Sequence, residues 1–197
     1  MSASRGETSS YYQDDFNLTG YIPLFDENRS VVVLNQFVGT FHVRKAGVVN
    51  SYNYICNESV VPGCQSVLYE LYERQVMEAE RGRATSLGGT QRLRGYRTNR
   101  FYDSYTNFRG FELRWYVLKT QDAFNFIVEK GTFAGFQAAM FYEEGTVSPD
   151  MGVNFWKNFL ISYGLGARFL FKSVIFRIDQ GFSQEGSETT VYIGYRF

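Results

Sequence analysis

Strict two-residue alternation constrains this chain more than any other feature of its sequence. In "TTVYIGYRF", the last nine residues, Val191, Ile193, Tyr195 and Phe197 share one side. Thr190, Tyr192, Gly194 and Arg196 take the other. Successive side chains of a strand point to opposite faces, so this pattern predicts a strand with one apolar face. The same reading applies to "VIFRIDQGF", where Val174, Phe176 and Ile178 oppose Ile175, Arg177 and Asp179. In "SYGLGARFLF", Tyr163, Leu165, Ala167, Phe169 and Phe171 oppose Ser162, Gly164, Gly166, Arg168 and Leu170. In "FELRWYV", Phe111, Leu113, Trp115 and Val117 oppose Glu112, Arg114 and Tyr116. One face is apolar and aromatic each time, and the other is mostly small or charged. Two earlier strands are "DFNLTGYIPL", with Phe16, Leu18 and Ile22 on one side, and "SVVVLNQFVGTFHV", too apolar for its faces to be assigned.

Alternation does not say which face meets water. A soluble barrel hides its apolar side, whereas a membrane barrel turns that side to lipid and keeps charge inside. Connection lengths favour the second arrangement. "PLFDENRS", "KTQDAFN" and "FKSV" read as short or modest turns. The segment from about residue 45 to 107, "EEGTVSPDMGVNFWKN" and "DQGFSQEGSE" read as longer connections. Short and long connections are therefore expected to alternate strictly, as periplasmic turns and outer loops do. The 15 Tyr and 19 Phe suit strands and the aromatic girdles of such a barrel. No apolar run approaches the roughly 18 residues of a membrane helix. The balance of 20 basic and 20 acidic residues argues against a nucleic-acid partner. The opening "MSASRGETSS" has no apolar signal core, so an outer-membrane location implies a fragment or a truncated gene model.

Inside the long connection, "SVLYELYERQVMEAERGR" reads as an amphipathic helix or as a strand extension running into one. Cys56 and Cys64 are close enough to close a small disulfide loop in an oxidising compartment, or they are two free thiols. A metal site is not expected, because His42 is the only histidine. The same connection ends in "LGGTQRLRGY", in which the paired Gly88 and Gly89 precede Arg94, Gly95 and Tyr96.

Taken in order, "LGGTQRLRGY", "ELRWYV", "FYEEG" and the terminal "YRF" resemble the C-terminal half of the outer-membrane barrel superfamily of assembly factors and transporters. BamA-type and TamA-type proteins, two-partner-secretion transporters and the bacterial surface antigen group belong to it. The resemblance is strongest over residues 87–197. It implies an all-β, transmembrane antiparallel β-barrel domain spanning residues 1–197. It also implies that the arginine–glycine–aromatic triplet folds back into the lumen, where Arg94 pairs with an acid on an inward strand face. The family's acidic motif is Phe-x-Asp-x-Gly, and here Phe141, Glu143 and Gly145 occupy its positions. Glutamate in place of aspartate changes the reach, so Glu112 and Asp179 stand as alternative partners. Tyr195 and Phe197 fall in the signal that the barrel-assembly machinery reads on its clients.

The strand count sets a conflict. Seven clear strands, and an eighth if "MSASRGE" ends another, would form a barrel filled by its own side chains. A long loop could not also enter it, and an unclosed sheet would leave bare edges in lipid. The chain is therefore expected to be half of a larger barrel, of roughly sixteen strands by the resemblance. Closure with the loop over the mouth and a dimer of half-barrels are the alternatives. The function implied is non-enzymatic insertion or translocation of client proteins at the bacterial outer membrane, among lipid and lipopolysaccharide, without a cofactor. The membrane anchor or pore of a larger lipase or phosphoesterase, and a passive porin or surface antigen, are the other readings. No Gly-x-Ser-x-Gly elbow occurs in this chain.

Overall fold

The computed structural model describes residues 10–24, 30–126, 129–171 and 174–195. Seven strands lie side by side in chain order: β1 (Ser10–Pro23), β2 (Ser30–Lys45), β3 (Tyr105–Phe126), β4 (Glu129–Ser148), β5 (Leu160–Phe171), β6 (Val174–Ser183) and β7 (Gly186–Tyr195). Every neighbouring pair is antiparallel. The sheet is open, with β1 and β7 as its edges. Seven antiparallel strands leave those two edges running in the same direction, so they could meet each other only as a parallel pair.

Register makes the two faces chemically distinct. Thr19, Asn35, Gly110, Glu143 and Ser162 are successive partners across β1 to β5, forming one polar row. One residue along, the partners Leu34, Phe111, Tyr142, Tyr163 and Phe182 form a row on the opposite face. All five of these apolar side chains are exposed. Leu165 is 59% exposed and Ile193 67%. On the polar face, by contrast, Glu112, Glu143, Ser162, Arg168 and Asp179 are all buried. The sheet therefore carries its apolar side uncovered and its charged side covered.

The cover is the connection between β2 and β3. It begins with a 3-10 turn at Ser51–Tyr54 and helix α1 (Cys64–Arg81). A disulfide joins Cys56 to Cys64 and ties the approach to α1 to its first residue, Cα to Cα 6.3 Å. The helix buries none of its residues, and among the described residues no helix is long and apolar enough to cross a membrane. Residues 84–101 then fold onto the sheet. Leu87, Leu93 and Tyr96 from this segment pack with Phe37 of β2 and Phe108 of β3. The hydrophobic cluster thus lies between loop and sheet.

Two expected connections are corrected outright and a third in part. "KTQDAFN" is not a turn, because β3 runs to Phe126 and β4 starts at Glu129. "DQGFSQEGSE" is not a long loop. β6 continues to Ser183, β7 starts at Gly186, and the two pair through to those residues. Apolar alternation holds only partly in this stretch, and Gly186, at φ 131°, supports a tight turn. Strict alternation of short and long connections therefore fails; the long β2–β3 connection remains, while of "EEGTVSPDMGVNFWKN" the residues to Ser148 belong to β4 and only the rest is connection. The segment "MSASRGE" lies outside the described residues.

Candidate functional site

The site is built on a loop that closes on itself. Leu87 and Phe101 form an isolated antiparallel bridge. The Gly88 amide donates to the Arg92 carbonyl at 3.0 Å, and the Gly89 amide to the Tyr96 carbonyl at 3.0 Å. Gly88 and Gly89 have φ of 103° and 106°, a region open to glycine and strained for other residues. Leu93 also has positive φ, 53°, and turns the chain so that Arg94 points into the sheet. Tyr96 is buried edge-on against Phe101, with ring centroids 5.0 Å apart.

Arg94 meets all three candidate acids. Its Nε lies 2.7 Å from Glu143 Oε1, its Nη1 2.8 Å from Asp179 Oδ2, and its Nη2 2.9 Å from Glu112 Oε2. The Arg94 backbone amide also donates to Glu143 Oε2 at 2.8 Å. Both oxygens of Glu143 are therefore taken by one residue, a use that suits the longer glutamate. The guanidinium lies 3.6 Å from the centroid of the Phe141 ring. Burial works against the charge of Arg94, yet Glu143, Glu112 and Asp179 more than offset it and raise its pKa above the ordinary arginine value.

Small residues on the sheet permit the approach. The three acids come from β4, β3 and β6, and β5 passes between β4 and β6 with Gly164 and Gly166 on the covered face. A Cβ on Gly181 would sit 2.6 Å from the Arg94 carbonyl, and one on Gly95 would sit 2.5 Å from the Phe182 carbonyl. Loop and strand thus meet backbone to backbone. The Gly95 amide donates to Ser162 Oγ at 2.7 Å, which fixes the loop along a second direction.

Three further arginines surround the acids. Arg114 donates to Glu112 through Nε, Arg168 Nη2 lies 2.5 Å from Glu112 Oε1, and Arg177 Nε lies 3.0 Å from Asp179 Oδ2. Arg177 also donates to the Thr90 carbonyl of the loop. Sequence reasoning placed these three on the same faces as Ser162, Glu112 and Asp179 but did not assign them to the site. Their position on the charged face was the available signal. Tyr195 ends β7, and Phe197 lies outside the described residues. No protein-family model, curated protein or solved structure matches this chain.

Proposed function

We propose that this chain is the C-terminal part of an outer-membrane β-barrel that helps insert or translocate other proteins. One observation carries the reading: the apolar face of the sheet is uncovered, while its charged face is buried under an arginine-anchored loop. In water, the row from Leu34 to Phe182 would be a broad exposed apolar patch, which soluble monomers rarely tolerate. Against hydrocarbon the same row is favourable, and the charged side becomes an interior. The resemblance of "LGGTQRLRGY" and "FYEEG" to the assembly-factor superfamily implies an arginine–acid contact of this type.

The two open edges support the mechanistic part of the proposal. Bare strand edges in lipid leave unsatisfied backbone groups, so β1 and β7 need further strands beside them. A client strand could add to the β7 edge by backbone pairing. Gly194 offers no side chain to pack there and weakens the local pairing.

Depletion of the protein from its native cell tests the role. Insertion predicts a fall in the folded β-barrel proteins of the outer membrane, read by heat-modifiable migration of several of them. Unchanged levels, together with ion conductance of the purified protein in liposomes, would favour a passive pore. Quantitative recovery in the aqueous phase without detergent would remove the membrane reading altogether.

A further inference from the structure

Beside Arg94, on the covered face, is a cavity of about 230 Å³. Four arginines line it, Arg92, Arg94, Arg114 and Arg177, against two carboxylates, Glu112 and Glu143. Both carboxylates are already engaged by Arg94, and Glu112 also by Arg114 and Arg168. Arginines therefore outnumber carboxylates on the wall, with Asp179 behind it engaging Arg94 and Arg177. Asn17, Asn35 and Gln91 add neutral polar groups on the wall. Behind Glu112, the Arg168 side chain is only 4% exposed; its Nη2 is paired with Glu112 Oε1, and among the described residues its Nη1 has no hydrogen-bond partner. A buried guanidinium nitrogen without an acceptor is costly, so the arginine cluster around Glu112 is short of acceptor oxygens.

We propose that this cavity binds a small tetrahedral oxyanion of the phosphate class, held by Arg114 and Arg177 on the sheet and by Arg92 on the loop. Arg92 stands on the Phe37 ring, its guanidinium 3.7 Å from the centroid, which holds it at the wall without using it in an ion pair with Glu112 or Glu143. Planar guanidinium groups present paired donors that match phosphate oxygens. The ion would bridge β3, β6 and the loop, and so would tighten the loop on the sheet. Asp15 of β1 also attracts Arg92, so the anion competes with that carboxylate for it. This inference is independent of the proposed role in protein insertion.

Inorganic phosphate, titrated into the purified full chain in detergent at constant ionic strength, tests it. Two readouts apply: the thermal transition and the ³¹P resonance of the added phosphate. A saturable rise of the transition is expected, with broadening of the ³¹P signal, and sodium chloride at equal ionic strength should reproduce neither. Arg92→Gln, which removes no ion pair to Glu112, Glu143 or Asp179, should weaken the apparent affinity about tenfold. Arg114→Gln and Arg177→Gln should do the same where they fold. Arg74→Gln on the exposed helix should bind as the parent does. Equal responses to phosphate and chloride, or an Arg92→Gln protein that binds like the parent, would overturn the proposal.

Discussion

Removal of the Arg94 side chain should free the loop, and most of the effect should come from one acid. Arg94 gives its three side-chain bonds to carboxylates, each charge-assisted and individually worth about 1.5–3 kcal/mol. Desolvation of buried ions offsets much of that sum, so the net attraction is smaller than the gross. The partners do not lose equally in Arg94→Ala. Glu112 keeps Arg114 and Arg168, and Asp179 keeps Arg177. Glu143 is buried, and among the described residues both its oxygens bond to Arg94 alone. It alone is left as an uncompensated buried charge, which costs about 3–5 kcal/mol. A loss of even about 3 kcal/mol raises the open fraction of the loop more than a hundredfold. Amide hydrogen exchange of the 84–101 peptide in detergent reads this directly. Glu143→Gln should weaken docking in the parent, yet should partly restore protection in the Arg94→Ala background, because it removes the stranded charge. The coupling in this double-mutant cycle should reach about 2 kcal/mol. Additivity within about 0.5 kcal/mol would refute the argument that this pair holds the loop.

Three other outcomes follow from contacts elsewhere. Gly95→Ala and Gly181→Ala each place a methyl against backbone of the opposing segment, so each should weaken docking by about 1–3 kcal/mol, again read as faster exchange over 84–101. Reduction of Cys56–Cys64 should destabilise the start of α1 by about 2–3 kcal/mol, as expected for so short a loop. Exchange at Arg94 should stay unchanged, because none of the helix residues is buried and none contacts Arg94 or its acids. Leu165→Arg on the uncovered face should cost about 2–4 kcal/mol in a bilayer if that face meets lipid near the midplane. A soluble protein would tolerate the same substitution within about 0.5 kcal/mol, so comparison of folding yields in vesicles and in detergent-free buffer separates the two cases.

Much of the site is legible in the sequence, and the limit of that legibility has a physical cause. Alternation placed Glu112, Ser162, Arg168, Arg177 and Asp179 on non-apolar faces, and the glycines before Arg94 announced a loop that approaches something closely. What could not be read was which acid Arg94 would reach. Three partners that stood as alternatives turn out to be simultaneous. Strand register brings Glu143, Glu112 and Asp179 within bonding distance of one guanidinium, and register is a relation between strands that no single segment encodes. Turn lengths failed for a similar reason. The 119–125 and 179–188 stretches contain loop-like polar residues, yet partner strands continue beside them and recruit their backbone into the ladder.

The sequence alone determined the strands and the chemical contrast between their two faces, because a period of two is a local property of the chain. Only the tertiary structure decided that the charged face is the one covered, and by what. That choice depends on a long connection folding back to bury its leucines and tyrosine over β2 and β3, and on glycines in β5 and β6 that leave room for an arginine to cross the sheet.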